Sequence, residues 1–265
     1  MKEEDYCQVF SNYDQIRVQY TIPIGADISI IVRNEKTGTE TILTPDLIQT
    51  NSENDIYNVT FEQIEPGCYS FSFYQNVVPL KLIAVSYFKI KHVDDIESSI
   101  LFTCTNDSNL FDAQFQDSQE EQFYFNFRVE GGFIPSEMQF NVDAENFRDQ
   151  RYSNTQLSAF PYKIKRLTIG NGKGVPYWVA EKINWILACS EVKINGLGHV
   201  RSDGSAPELV ETGDRFYPKY VYKIDVEESD NTPLLDFTLG STEWILRNGY
   251  WQDGIWTTSG YWKSY

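Results

Sequence analysis

Two histidines, four scattered cysteines and one glycine-rich run are the residues of this chain with most chemistry to offer. For nucleophilic catalysis, His92 or His199 would have to stand beside a Ser or Cys and an orienting acid. No Gly-x-Ser-x-Gly turn and no cysteine signature accompanies either one. His199 follows Asn195-Gly196 and lies close to Arg201 and Asp203, so it reads as a solvated surface side chain. The run Gly170-Asn171-Gly172-Lys173-Gly174 stands ahead of Pro176, where the backbone N–H groups of a helix start could attract a phosphate. A Walker-type loop would follow Gly-Lys with Ser or Thr to hold magnesium. Here Gly174-Val175-Pro176 follows instead, the pattern of a loop entering a proline-started helix. Asn51-Ser52-Glu53-Asn54-Asp55 and Asn106-Asp107-Ser108-Asn109 offer oxygen ligands, but neither has the alternating spacing and terminal Glu of a calcium loop. They read as polar turns. The paired carboxylates of a glycoside hydrolase are defined by separation in space, and in a chain of net charge -16 the acids read first as a solvated face. No catalytic residue, cofactor or metal ligand is therefore expected, and the chain is expected not to be an enzyme.

The surroundings of these residues argue in the same direction. Asp and Glu number 38 against 22 Lys and Arg, which disfavours a nucleic-acid partner recognised through a basic surface. Cys7, Cys68, Cys104 and Cys189 are spread singly through 265 residues, as free thiols are in a reducing compartment. The start, Met1-Lys2-Glu3-Glu4-Asp5-Tyr6, lacks the cationic and apolar regions of a secretory signal. No stretch approaches the ~18 apolar residues of a membrane span. Synthesis in the cytoplasm, with no membrane partner, is the expectation.

The elements that would position side chains are mainly strands. In residues 1–95, runs such as Gln15-Ile16-Arg17-Val18-Gln19-Tyr20 and Cys68-Tyr69-Ser70-Phe71-Ser72-Phe73 alternate apolar with polar residues between turn signals. About seven such strands in that length predict an antiparallel, immunoglobulin-like β-sandwich. A long strand from Leu80 to Val93 ends it, and the polar Asp94–Ser99 stretch marks a domain boundary. Residues 96–230 predict a β-rich domain with one covering helix near 176–188, where Val179, Ile183 and Ile186 recur at helical spacing after Pro176. Asn195-Gly196 predicts a type I′ hairpin, and Tyr220, Tyr222, Ile224 and Val226 share one face of a long strand.

Residues 231–265 form a third segment, with only two basic and three acidic side chains but four of the six tryptophans. Gly249-Tyr250-Trp251 recurs as Gly260-Tyr261-Trp262, with Gly254-Ile255-Trp256 between them and Trp244 upstream. Rings so spaced suit short strands that need cover, supplied either by the chain's own second domain or by another subunit. Three such indoles seated in a partner would contribute on the order of 10 kcal/mol of gross burial. Trp244, Tyr250, Trp251, Trp256, Tyr261 and Trp262 are the candidate interface residues. If Trp251, Trp256 and Trp262 instead stack on sugar rings, the chain is a carbohydrate-binding, receptor-recognising module of a fibre or surface protein.

Several runs carry a resemblance. They are Phe127-Arg128-Val129-Glu130-Gly131-Gly132-Phe133-Ile134-Pro135, Phe147-Arg148-Asp149-Gln150-Arg151, Leu167-Thr168-Ile169-Gly170 leading to Gly174-Val175-Pro176, Glu181-Lys182-Ile183-Asn184, Ile194-Asn195-Gly196 and Tyr217-Pro218. At the N-terminus Tyr6-Cys7-Gln8 and Asp14-Gln15-Ile16 add to it. With these runs the sequence resembles virion structural proteins of phages and prophages of gut Bacteroidetes, including crass-like phages. The resemblance implies a collar, tail-adaptor or ring component of the virion. Such a component is made in the host cytoplasm and assembles as a ring-like oligomer with itself and with other virion proteins. It transfers no catalytic site.

Overall fold

The computed structural model describes residues 6–258 apart from 63, 78, 97, 110–112, 118, 171–173, 213–218, 230–248 and 253–254, and of 249–252 and 255–258 it describes the backbone. The chain is mainly β, and the described residues include a single α-helix. It divides into two compact units, residues 1–229 and 230–265.

The first half of the larger unit is a sandwich of two sheets. One sheet runs in the order β1 (Gln8–Ser11), β8 (Lys81–Lys91), β7 (Gly67–Gln75), β3 (Ile28–Asn34) and β4 (Glu40–Leu43). The other holds β2 (Ile16–Pro23), β6 (Asn54–Phe61) and β5 (Asp46–Thr50). The period-2 pattern sends alternate residues inward, and Ile30, Val32, Phe71, Phe88, Ile90 and Val59 form the core between the sheets. Pairing is antiparallel except for β1, which lies parallel to the end of β8, with Gln8 opposite Phe88 and Ser11 opposite Lys91. A 3₁₀ turn at Val93–Asp95 leads out of the sandwich.

The second half closes on itself. β9 (Ser99–Thr105), β10 (Phe125–Phe133), β12 (Asn154–Ile169), β16 (Lys219–Glu228), β14 (Leu197–Arg201) and β13 (Glu191–Ile194) pair in that order, and β13 returns to β9. All six pairings are antiparallel, so the ring is a closed barrel with no free edge among these strands. Its interior alternates along each strand: Ile100, Phe102 and Cys104; Phe127 and Val129; Leu167 and Ile169; Val192 and Ile194; Tyr222, Ile224 and Val226. The helix α1 (Tyr177–Ile186) adds Val179, Ala180, Ile183 and Ile186 to the same core, which is the covering role expected of it. Pro176 stands at its N-cap. The Asn195-Gly196 turn joins β13 to β14 with φ of 52° and 85°, the left-handed pair that a type I′ hairpin requires. β15 (Glu208–Thr212) lies outside the ring on β16.

Two features tie sandwich and barrel together. Asp14, in the turn before β2, receives Arg128 of β10 through two hydrogen bonds of 2.6 and 2.7 Å, with side chains only 4 % and 12 % exposed. Asn126 of β10 also donates to the carbonyl of Gln15.

The described residues of the smaller unit form a hairpin, β17 (Gly249–Gln252) with β18 (Ile255–Thr258), in a register that sets Trp251 opposite Trp256 and Tyr250 opposite Thr257. Trp244, Tyr261 and Trp262 lie outside the described residues.

Candidate assembly surface

One pair of strands leaves the barrel. β12 is sixteen residues long, but only its last third, from Ile164 to Ile169, pairs with β16. The preceding ten residues pair with β11 (Gln139–Arg148), whose one extensive neighbour is β12 itself. At ~3.3 Å per residue, these strands form a ribbon about 33 Å long. Its tip is a tight loop in which Asp149 Oδ1 accepts hydrogen bonds from the N–H groups of Arg151 and Ser153, both at 2.8 Å. The backbone N–H groups of Asp149 and Tyr152 close the loop on the Ser153 and Asp149 carbonyls. A bulge beside Glu145 leaves Leu157 without a cross-strand partner. Pro161 is tolerated in the ribbon because each strand there has an unpaired edge.

This arm is apolar, and no other described element covers it. Phe140 is 78 % exposed and Phe160 70 %, and Val142, Phe147, Leu157 and Tyr152 are each more than half exposed. Phe140, Val142 and Ala144 share one face of β11, opposite Lys163, Pro161 and Ala159. The sequence reading passed over this element, although its tip is the Phe147–Arg151 run singled out there on other grounds. The signal was present: Phe140, Val142 and Ala144 alternate with Asn141, Asp143 and Glu145, and a polar stretch from Arg148 to Asn154 follows as a turn.

A second uncovered apolar strip lies on the sandwich. β1 pairs only with Phe88–Lys91 of β8, so among the described residues Lys81–Tyr87 is a bare sheet edge. Leu82, Ile83, Val85 and Tyr87 are exposed along it. The strand carries Lys81, Lys89 and Lys91 and no acid, in a chain of net charge -16.

The residues weighed for chemistry are differently placed. His199 is not solvated: it is 2 % exposed, on the inward-facing side of β14, while Val200 beside it faces out. Strand alternation overrides the polar neighbourhood of Arg201 and Asp203. The imidazole stacks on Phe133 at 5.5 Å, and Nδ1 stands 2.8 Å from the Leu197 carbonyl, to which the neutral ring donates. Nε2 is buried without a partner among the described residues. Burial, and secondarily the Lys165 charge, hold its pKa below the ordinary histidine value, against the opposing pull of the Leu197 carbonyl. With the folded pKa depressed, the unfolded chain binds the extra proton first. This contribution to stability is present above the unfolded value of ~6.5 and is lost as pH falls below it. The urea midpoint of the whole chain is expected to drop between pH 7 and pH 5, and His199→Leu should flatten that decline. An equally steep decline in the variant would assign it to other groups.

The polar runs considered for calcium spend their oxygens locally. Asn51 Oδ1 accepts from the N–H groups of Glu53 and Asn54, and Asn106 Oδ1 accepts from Ser190 N–H. Among the described residues, no group of three or more His, Cys, Asp or Glu side chains is gathered as for a metal ion. Of the Gly170–Gly174 run, residues 171–173 lie outside the described residues, and Gly174 N–H bonds the Gly170 carbonyl at 2.7 Å.

All four cysteines are free thiols, and Cys189 Sγ donates to the Trp185 carbonyl at 3.6 Å. The interaction between the two deeper thiols, Cys104 of β9 and Cys189, followed by burial, raises the pKa of Cys104, and the same interaction lowers that of Cys189. Both line a cleft of about 530 Å³ between sandwich and barrel, walled by rings that include Phe61, Phe73, Phe115 and Phe125. Arg17 and Lys182 also line it, and neither forms an ion pair among the described residues. Lys182 keeps contact with solvent, yet protein surrounds it closely enough that desolvation lowers its pKa, while its ammonium sits 4.6 Å from the centre of the Phe127 ring. The cleft is suited to an apolar group, and it brings together no nucleophile, base and orienting acid.

No protein-family model, no curated protein and no solved structure matches this chain.

Proposed function

We propose that this chain is a non-enzymatic structural protein of a phage virion, a collar, tail or ring component that assembles with copies of itself and with neighbouring virion proteins. The uncovered arm of β11 and β12 carries this reading. A two-stranded ribbon with no covering layer is marginal in water, and apolar rings on both of its strands add an exposed patch that a lone protein keeps at a cost. Both are resolved when another chain covers them. The bare edge of β8 supports the same reading, because unpaired apolar edges are otherwise sites of uncontrolled pairing. The tail residues Trp244, Tyr250, Trp251, Trp256, Tyr261 and Trp262 are proposed as a further contact to a neighbour.

Particles purified from a producing strain test the reading. Mass spectrometry is expected to find the chain in the particles in multiple copies. Its absence from particles while abundant in the lysate overturns the proposal. A chain ending near Asp230 keeps both described cores, which run from Phe10 to Val226. It is expected to stay folded and to be lost from particles. If it unfolds, the tail rings belong to the chain's own core.

A further inference from the structure

We propose that the arm of one copy docks on the bare β8 edge of a second copy, extending the partner's sandwich sheet and joining copies head to tail. The inference rests on the assembly reading above and adds which surface meets which. Arm and edge are two different surfaces of the same chain, each uncovered, and each has what the other lacks. The edge at Lys81–Tyr87 presents unpaired N–H and C=O groups along seven residues. The ribbon presents free main-chain groups along the outer side of β11, opposite its pairing with β12. Addition of a strand satisfies both rows at once, with alternate side chains supplying the fit.

Size and charge agree. The arm rings, at ~200 Å² each and more than half exposed, offer together with Val142 and Leu157 roughly 600–700 Å² of apolar surface, divided between the face of Phe140 and Val142 and the face of Phe160, of which an added strand covers a part. Exposed Asp143 and Glu145 of β11 alternate with the apolar face. On the receiving side, the bare stretch Lys81–Tyr87 carries Lys81 and no acid, so no like charge there opposes Asp143 and Glu145. A contact between unlike patches also propagates: each copy gives one arm and receives one, which closes into a ring or extends as a filament according to the angle between the two sites.

Two surface variants of the full chain separate this from other modes of association. An arm variant carries Phe140→Lys and Phe160→Lys, and an edge variant carries Ile83→Lys and Val85→Lys. All four side chains are exposed, so circular dichroism should match the parent. Each variant alone is expected to associate at least ~30-fold more weakly, the loss typical of an interface hot spot, and to run as a monomer in analytical ultracentrifugation where the parent is oligomeric. Mixed, the two should form a 1:1 dimer and nothing larger, because one still has its arm and the other its edge. If both variants associate like the parent, the pairing proposed here is wrong while the assembly reading stands. If the arm variant dissociates but the mixture yields no dimer, arms meet arms or another partner, and the proposal is overturned. A parent that is monomeric at every concentration overturns both.

Discussion

Arg128→Ala is expected to lower the stability of the chain by ~3–5 kcal/mol, read as a fall in the urea midpoint at unchanged slope. The guanidinium donates from Nε and Nη2 to the two Asp14 oxygens and from Nη1 to Ser99 Oγ. Asp14 Oδ2 also accepts the Ser11 N–H at 2.8 Å. Removing the arginine leaves a carboxylate 4 % exposed with one hydrogen bond in place of three, and the cost is that of an uncompensated buried charge. The double change Arg128→Met with Asp14→Leu should recover a large part of the loss, because it removes both charges together. A double variant as unstable as the sum of the singles would show that the two residues act independently. The pair joins the sandwich's first turn to the barrel wall, so an early loss of cooperativity between the halves is the expected form of the damage.

The second large effect concerns adjacent glycines with opposite outcomes. Gly131 stands where β10 leaves β9 and takes up β12: residues Phe125–Glu130 pair with β9, and Gly131–Phe133 with Ile169–Leu167. A Cβ placed at Gly131 would lie 2.6 Å from the Thr168 carbonyl oxygen and 3.1 Å from Ile169 Cα, both backbone atoms that cannot swing away. A Cβ at Gly132 meets nothing within 4 Å. Gly131→Val should therefore cost ~3 kcal/mol or more by prising the barrel open at its β10–β12 seam, with accelerated amide exchange in β12. Gly132→Ala should stay within ~0.5 kcal/mol of the parent. Equal effects at the two positions would remove close strand approach as the reason for Gly131.

The two glycines also mark where sequence reading stops. The alternating runs of the first 95 residues, the Pro176 helix and the Asn195-Gly196 hairpin were legible, because each is set by local periodicity or by a backbone conformation that few residues adopt. Closure of the barrel was not. It depends on β12 pairing with β16 more than fifty residues later and on β13 returning to β9, contacts that leave no local mark beyond glycines with two possible explanations. His199 was misread for a related reason: its polar neighbours outweighed the strand alternation that points it inward. The alternation of Phe140, Val142 and Ala144 marks a strand, but nothing local says that its apolar residues are left outside the core. Phe140, Phe147, Leu157 and Phe160 look like core residues until the fold leaves them outside.

β12 has a mechanical consequence. The strand that forms half of the arm continues without interruption into the barrel wall, where it is held on both sides by β10 and β16. A pull on the arm along its axis is delivered lengthwise into β12, and the hydrogen bonds holding that strand lie across the direction of tension. They are strained together rather than one after another, the geometry of a shear joint instead of a zip. The cross-strand pairs Arg166–Asp225 and Lys165–Glu228 sit at this junction and act as pegs in the joint. Tension applied at the tip therefore reaches the barrel through a stiff tie, with no hinge between.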